Sequence, residues 1–160
     1  MESTDVLVIG SGIAGLCAAI EAARTGATVT VASAGKTMSG SSFFPGTWGL
    51  GLIGPVNEDD EQDLIDTILA VGGGVANPEL VQTFVHGIPQ AIEWLEEDLG
   101  VGLQRPQSAK SAQQKQFIPC FDHKTRMWRG LTRKPLEDAC TAQIELLGIR
   151  LLPRHELIDL

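Results

Sequence analysis

Three glycines near the start of the chain, Gly10, Gly12 and Gly15, have the spacing G-x-G-x-x-G. Gly10 permits a tight turn, Gly12 has no Cβ to keep the backbone away from a pyrophosphate, and Gly15 lets a helix pack close to a strand. The free N–H groups and the positive dipole end of that helix would then face the anion. The spacing predicts a dinucleotide-binding turn, and the alternative is a glycine-rich turn without a ligand.

The residues on either side of the glycines predict the elements that such a turn requires. The apolar run VLVI at 6–9 is typical of a parallel strand buried on both faces. A helix with apolar residues at three- and four-residue spacing follows and ends at Gly26, and TVTV at 28–31 predicts the next strand. Residues 5–33 therefore form one β-α-β unit, and the predicted fold class is α/β, a Rossmann-like domain with a parallel sheet and flanking helices.

Composition limits the classes of function. The 160 residues are 43% hydrophobic and 20% charged, which is typical of a globular chain that does not cross a membrane. A net charge of −8 disfavours nucleic acid and anionic membranes as partners. The N-terminus has no basic region followed by an apolar stretch, so we expect a cytoplasmic protein. Cys17, Cys120 and Cys140 are widely spaced, which predicts free thiols and no metal site.

The end of the second predicted strand bears on the identity of the ligand. Nicotinamide-binding units usually have an acidic residue here for the ribose hydroxyls, whereas this chain has Ser33 and no acidic residue between Glu21 and Glu58. Two explanations stay open. The cofactor could carry a 2′-phosphate with Lys36 as its counter-ion, or it could be a flavin whose ribose is taken by a serine.

The segments VLVIGSGIAGLCAA, VTVAS and SGSSFFPGTWGLG together resemble the flavoprotein family of succinate dehydrogenase, fumarate reductase and L-aspartate oxidase. The resemblance implies an FAD site. Ala34 stands where aspartate oxidases tend to have Lys, and residues 45–48 replace an Ala-Gln-Gly-Gly stretch. Relatives that tether FAD covalently use a His in this loop, and no His precedes His86, so the FAD should be non-covalent. The implied cofactor-binding residues are Gly10, Ser11, Gly12, Ile13, Ala14, Gly15, Ser33, Ala34, Ser41, Ser42, Phe43, Pro45, Gly46, Thr47, Trp48 and Leu157.

The middle of the chain predicts helices. Asn57 caps a first helix with Leu64, Ile65, Ile68 and Leu69 inward, and Asn77 caps a second with Leu80, Val81, Phe84 and Val85 inward. A third helix is predicted to follow Pro89 and to end at Gly100. The acidic runs at 58–61 and 96–98 are interpreted as helix capping and solvated helix faces.

The end of the chain returns to the sheet. Pro135 opens a predicted helix that ends at Gly148, a strand at 149–152 continues the parallel sheet, and residues 153–158 match a further turn and strand.

A second candidate site lies in FIPCFDHKTRMWRG, where His123, Arg126 and Arg129 stand close together in an otherwise acidic chain. The relatives have a Gly-Gly-His-Ser segment and an Arg at this point, near substrate and flavin. This similarity suggests that His123 and Arg126 approach a dicarboxylate or the cofactor. The alternative is a loop of Arg and Trp residues that packs on the surface, because the Gly-Gly is missing here.

The predicted divisions are 1–56 for the β-α-β unit and flavin loop, 57–103 for helices, 104–130 for a loop, and 131–160 for a helix and strand. The relatives are longer and add a capping domain, so the resemblance implies an incomplete FAD-binding domain, the N-terminal portion of an oxidoreductase. Its substrate would be a dicarboxylate such as fumarate, succinate or L-aspartate, and the portion should be inactive alone. The missing C-terminal portion or a second chain would be its partner. The alternatives are an NAD(P)-binding Rossmann protein and a non-catalytic half that needs a partner chain.

Overall fold

The computed structural model describes residues 3–44, 50–108, 124 and 126–159. The chain divides into two compact units. We call Met1–Leu50 with Thr132–Leu160 the sheet unit, and Gly51–Leu131 the helical unit. In chain order the elements are strand β1 (Val6–Ile9), helix α1 (Ile13–Arg24), strand β2 (Val29–Ser33), a 3-10 turn (Ser41–Phe43), strand β3 (Leu50–Gly54), helix α2 (Glu58–Val71), helix α3 (Pro78–Glu93), a π-helical turn (Trp94–Asp98), strand β4 (Met127–Leu131), helix α4 (Arg133–Leu146) and strand β5 (Arg150–Pro153).

The sheet unit contains three parallel strands in the order β1-β2-β5. Val31 of β2 is in register with Val8 on one side and with Leu151 on the other. Helix α1 connects β1 to β2, and α4 leads into β5. The predicted β-α-β unit and the parallel sheet with flanking helices are therefore confirmed, with β5 shifted by one residue from the predicted strand.

The prediction that β1 is buried on both faces is wrong. Leu7 and Ile9 are about half exposed, whereas all five residues of β2 are buried. The reason is strand order: β2 lies between two strands, while β1 pairs only with β2 among the described residues. Helix α1 covers the face that carries Val8, since a Cβ on Gly15 would lie 3.4 Å from Cγ1 of Val8. Leu7 and Ile9 point to the opposite face because side chains alternate along a strand.

The core of the sheet unit includes the inward faces of its two helices. Leu16, Ala19 and Ile20 of α1 are fully buried. Leu136 and Cys140 of α4 are each 1% exposed. Burial raises the pKa of the Cys140 thiol to about 11, and burial followed by the charge of Glu21 raises that of Cys17. Cys17 and Cys140 are both free, which confirms the predicted free thiols at these two positions, and Cys140 is the more buried of the two.

The Cys140 thiol should react slowly with iodoacetamide while the protein is folded. Because the thiolate is the nucleophile, a pKa near 11 should lower the labelling rate at neutral pH on the order of a hundredfold relative to the unfolded chain. Peptide mass mapping over time, with and without urea, measures this ratio. Equal rates in the two conditions would contradict the burial of this side chain.

The helical unit is organised by the packing of α2 against α3. The Asn57 side chain accepts a hydrogen bond from the Asp60 N–H at 3.1 Å, and Asn77 accepts one from the Glu79 N–H at 2.9 Å, so both predicted caps are confirmed. Leu64 and Ile65 of α2 form a buried cluster with Val81 and Val85 of α3.

Two details of the helix prediction are wrong. Leu80 and Phe84 are more than half exposed, because Val81 and Val85, one position further round the helix, occupy the face toward α2. No new helix begins after Pro89: this residue lies inside α3, which continues to Glu93 and then into the π-helical turn before ending by Gly100. Proline removes one N–H donor from a helix and its ring crowds the carbonyl four residues earlier, and here the tertiary packing of α3 outweighs that cost.

The predicted loop at 104–130 and the predicted strand within 153–158 also need correction. The predicted loop 104–130 contains β4, which pairs with β3, and Gln104 forms an isolated antiparallel bridge with Gly130. The predicted strand within 153–158 does not form, since residues 154–159 contain only a turn and irregular backbone. Short apolar runs do not determine pairing, which depends on a neighbouring strand edge.

Candidate dinucleotide-binding site

The turn between β1 and α1 has the geometry that its glycines predict. Gly10 has φ of +104°, a left-handed conformation that side chains disfavour, and its N–H donates to the Ala32 carbonyl at 2.8 Å. A Cβ on Gly15 would lie only 2.0 Å from the Gly10 carbonyl oxygen. The turn is thus fastened to β2, and α1 begins in direct contact with it.

The absence of a side chain at Gly12 matters for a ligand rather than for packing within the protein. It is the N-cap of α1, with φ of −73° and ψ of 176°, and no side chain caps this helix end. A Cβ at Gly12 would meet no atom of the described residues within 4 Å. The protein itself therefore does not require glycine here. The open space lies at uncapped helix N–H groups, which is the environment that binds a phosphate.

The end of β2 lies beside this turn. Ser11 and Ser33 are both buried, and the Ser11 hydroxyl donates to the Ser33 hydroxyl oxygen at 3.1 Å. Ala34, Gly35 and Lys36 follow as exposed residues, with no acidic side chain among them. The structure thus brings Ser33 next to the 10–15 turn, and the binding of a cofactor by these residues stays a prediction.

The loop after β2 encloses a cavity of about 350 Å³. Met38 in this loop has φ of +53°, which is uncommon for a residue with a side chain. Ser41 and Ser42 are at least partly accessible, whereas Phe43 is buried in the core, and their 3-10 turn packs against α4. Pro45, Gly46, Thr47 and Trp48 lie outside the described residues. The lining of this cavity is Lys36, Thr37, Met38, Ser39, Gly40, Ser41, Phe43 and Phe44.

The segment after β5 returns to the same edge of the sheet. The His155 N–H donates to the Ser33 carbonyl at 2.9 Å, and the Arg154 N–H donates to the Gly35 carbonyl at 2.9 Å. Leu157 follows this contact with its side chain partly exposed. Its implied role in binding the cofactor stays a prediction.

The second candidate site has a different environment. Arg126 belongs to the helical unit and its side chain is fully buried. Its guanidinium donates to the Asp60 and Asp63 carboxylates, the latter at 2.8 Å, and its Nη2 lies 3.5 Å from the Thr67 hydroxyl oxygen. Arg126 is therefore not a surface residue, and its predicted approach to a substrate stays a prediction. His123 lies outside the described residues.

The acids that hold Arg126 were missed by the sequence interpretation. Asp60 belongs to the run at 58–61, which was interpreted as capping and solvated surface, yet it pairs with a buried arginine and also accepts from the Val56 N–H at 2.9 Å. Lys124 donates to Asp63 at 2.7 Å. Hydrogen bonds from Lys124 and then Arg126 hold the pKa of Asp63 below its ordinary value, so this carboxylate stays charged in moderately acidic solution.

A larger cavity of about 510 Å³ lies in the helical unit, lined by apolar side chains such as Leu64, Phe84 and Ile88. The side chains that line it are apolar and offer no charged or hydroxyl group to orient a dinucleotide, so the turn in the sheet unit is the better candidate for this ligand. Across the described part of the chain, no group of three or more His, Cys, Asp or Glu is placed to hold a metal ion. Over the same residues, no helix has the length and apolar character needed to cross a membrane.

Residues 5–160 match the model of a protein family described as the FAD binding domain. The chain belongs to this family. An L-aspartate oxidase of Halobacterium salinarum is 35% identical to this FAD-binding domain over 161 residues, which cover 99% of the chain and 28% of the relative. An NADH:fumarate oxidoreductase of Klebsiella pneumoniae is 34% identical over 106 residues, 59% of the chain and 11% of the relative. The predicted resemblance to the fumarate reductase and L-aspartate oxidase flavoproteins is confirmed.

A solved structure supports the fold. The open conformation of a flavocytochrome c3 fumarate reductase superposes with a TM-score of 0.72 at 22% identity, over 99% of the FAD-binding domain and 28% of that chain. At this identity the likeness concerns the fold alone. The FAD-binding domain spans about 28% of the length of the L-aspartate oxidase that it matches.

Proposed function

We propose that the sheet unit supplies the pyrophosphate cradle and the adenosine pocket of a non-covalent FAD site. The observation that carries this proposal is the open space at Gly12, where uncapped helix N–H groups meet a position that the fold does not require to be glycine. Anions bind at such helix ends through the N–H groups and the helix dipole. In FAD the pyrophosphate lies between two larger groups. The pyrophosphate can therefore reach the helix N–H groups only if no side chain holds it away from the backbone at this position.

The residues proposed to hold FAD have separate tasks. The turn at 10–15 would bind the pyrophosphate, Ser33 and Ala34 would lie toward the ribose, and Leu157 toward the adenine. Ser41, Ser42 and Phe43 with residues 45–48 would approach the remainder of the cofactor. The turn, Ser33 and residues 34–44 contain no histidine, which supports non-covalent attachment.

The proposed activity concerns the protein together with the parts that its longer relatives contain. Relatives named L-aspartate oxidase and NADH:fumarate oxidoreductase support a dicarboxylate-like substrate. When bound, a flavin supplies hydride transfer, while protein groups bind and orient. The chain covers little more than a quarter of the L-aspartate oxidase, so we propose that it is inactive alone. His123 and Arg126 stay proposed substrate-side residues, although the ion pairs of Arg126 favour a role in the fold.

Exposed apolar residues support the proposal of a covering segment. Leu7 and Ile9 leave one face of the sheet partly open, and such faces favour association. A further part of a longer chain or a second chain could cover it. Elution as a 17 kDa monomer with a cooperative thermal transition would contradict the proposal that the sheet requires a covering segment.

The Gly12→Val variant should lose FAD binding while keeping its fold. A valine side chain meets no protein atom near its Cβ but occupies the space where the pyrophosphate would approach. We expect FAD affinity to fall at least a hundredfold, because the cradle needs close backbone approach. Quenching of FAD fluorescence during titration measures affinity, and circular dichroism measures the fold.

Thr25→Val is the matched control. It places valine at the exposed C-terminal end of α1, where the threonine hydroxyl donates to the Ala22 carbonyl. This control should bind FAD as the wild type does. If Gly12→Val bound FAD as tightly as wild type, the cradle would be misplaced. Tighter binding of NADPH than of FAD by the wild type would instead support the nicotinamide alternative.

A further inference from the structure

We propose that Ser11 and Ser33, together with the carbonyl of Lys36, form a hydrogen-bonded triangle that positions the loop 34–44 beside the phosphate-binding turn. The proposal rests on the proposed FAD site. It assigns a task to the side chain of Ser11, a position whose residue type the glycine spacing does not specify. Position 11 is one of the unspecified residues of G-x-G-x-x-G, so the spacing itself gives no reason for a serine there. In this role Ser11 is a positioning residue.

The triangle joins parts of the chain that are far apart in sequence. The Ser11 hydroxyl lies 3.1 Å from the Ser33 hydroxyl oxygen and 3.4 Å from the Lys36 carbonyl oxygen. The Ser33 hydroxyl lies 3.5 Å from the same carbonyl. Ser11 is 2% exposed and Ser33 is 7% exposed, so water has little access to either hydroxyl. Buried polar groups of this kind need partners within the protein.

The hydroxyl protons are used inside the triangle. Each serine has one proton to donate, and the available acceptors are the other hydroxyl oxygen and the Lys36 carbonyl. In either possible direction, one serine donates to the other and the second donates to the carbonyl. Both hydroxyls therefore hold the loop, and the bonds of one depend on the presence of the other.

The same loop is fastened from a second side. The Ser33 and Gly35 carbonyls accept from the N–H groups of His155 and Arg154, which follow β5. The phosphate-binding turn is itself tied to β2 through the bond from Gly10 to Ala32. Residues 32–36 thus connect the turn, the start of the loop and the segment after β5. The triangle adds a connection through side chains between the loop and the turn, whereas the other connections are backbone hydrogen bonds.

This arrangement predicts a non-additive effect of removing the two hydroxyls. Once one serine is lost, the other retains only a single long contact with the carbonyl, so its later loss should cost little more. Independent contacts of the two serines with a cofactor would instead produce losses that multiply. The two interpretations therefore differ in the double variant.

The test compares Ser11→Ala, Ser33→Ala and the double variant by FAD titration and by amide hydrogen exchange of residues 34–44 in the free protein. A net hydrogen bond of about 1 kcal/mol corresponds to about fivefold. We expect each single variant to weaken FAD binding about fivefold and the double variant by no more than about tenfold, with faster exchange of the loop in all three. Ser33→Thr keeps a hydroxyl and should restore slow exchange of the loop in the free protein, and Thr25→Val should change neither FAD binding nor exchange.

Three results would overturn the proposal. They are a double variant weakened by about 25-fold, the product of independent losses, loop exchange that is unchanged in Ser11→Ala, or loop exchange in Ser33→Thr that is as fast as in Ser33→Ala. A wild-type protein that binds no FAD would contradict the proposed function separately. Exchange in the free protein then decides alone whether the triangle holds the loop.

Discussion

Replacement of Gly15 by alanine should destabilise the sheet unit by about 3 kcal/mol or more and abolish FAD binding. The new Cβ would lie 2.0 Å from the Gly10 carbonyl oxygen and 3.1 Å from its carbonyl carbon. Both are backbone atoms that cannot rotate away, so the start of α1 would have to move off the turn. Alanine is the better helix former by about 1 kcal/mol, which is too little to offset this clash. Urea denaturation followed by circular dichroism measures the stability.

Gly12→Ala is the matched control within the same motif. Its Cβ meets nothing within 4 Å and its backbone is extended, so its free energy of unfolding should fall by no more than about 1 kcal/mol. The two substitutions should therefore differ in their effect on stability, because the fold requires glycine at Gly15 and the ligand requires it at Gly12. Equal stability of the two alanine variants would contradict the close contact between α1 and the turn.

Asp60→Asn should lower the free energy of unfolding of the helical unit by about 3 kcal/mol. The change keeps the size of the side chain but removes the charge of Asp60, which with Asp63 pairs with the buried guanidinium of Arg126 among the described residues. Removal of one partner of a buried ion pair leaves a charge without adequate compensation, which costs about 3–5 kcal/mol. We expect the lower end of that range because Asp63 remains. Thermal and urea unfolding measure the effect.

Two further variants test the cause. Asp59→Asn removes a charge from an exposed position in the same helical turn and should change stability by less than about 0.5 kcal/mol. Arg126→Met should cost less than Asp60→Asn, because the side chains of Asp60 and Asp63 are 21% and 42% exposed and can be hydrated when the arginine is absent. If Arg126→Met kept its stability but removed substrate turnover in a complete enzyme, the substrate-side prediction for this residue would be supported instead.

The serine pair could be foreseen in part from the sequence. A β-α-β unit brings the C-terminal end of the second strand next to the turn after the first, so Ser33 had to lie near Ser11. The contact of both hydroxyls with the Lys36 carbonyl could not be foreseen. It depends on the path of a loop whose composition does not determine its conformation.

The ion pairs of Arg126 could not be foreseen either. Asp60 and Asp63 are more than 60 residues away in sequence, and their acidic surroundings are equally typical of a solvated helix start. The partial exposure of β1 has a similar origin, because an apolar run does not reveal whether a strand is central or at an edge.

The amino-acid order alone was sufficient for the β-α-β unit, the helix caps at Asn57 and Asn77, and the family of FAD-binding flavoproteins. These features depend on short-range patterns, namely glycine spacing, apolar periodicity and cap residues. The interactions behind these patterns join residues that are close together in the sequence. The tertiary structure decided which strand is central and which polar side chains are buried together. Those outcomes depend on contacts between distant segments, and burial free energy at each contact is set by all the atoms around it.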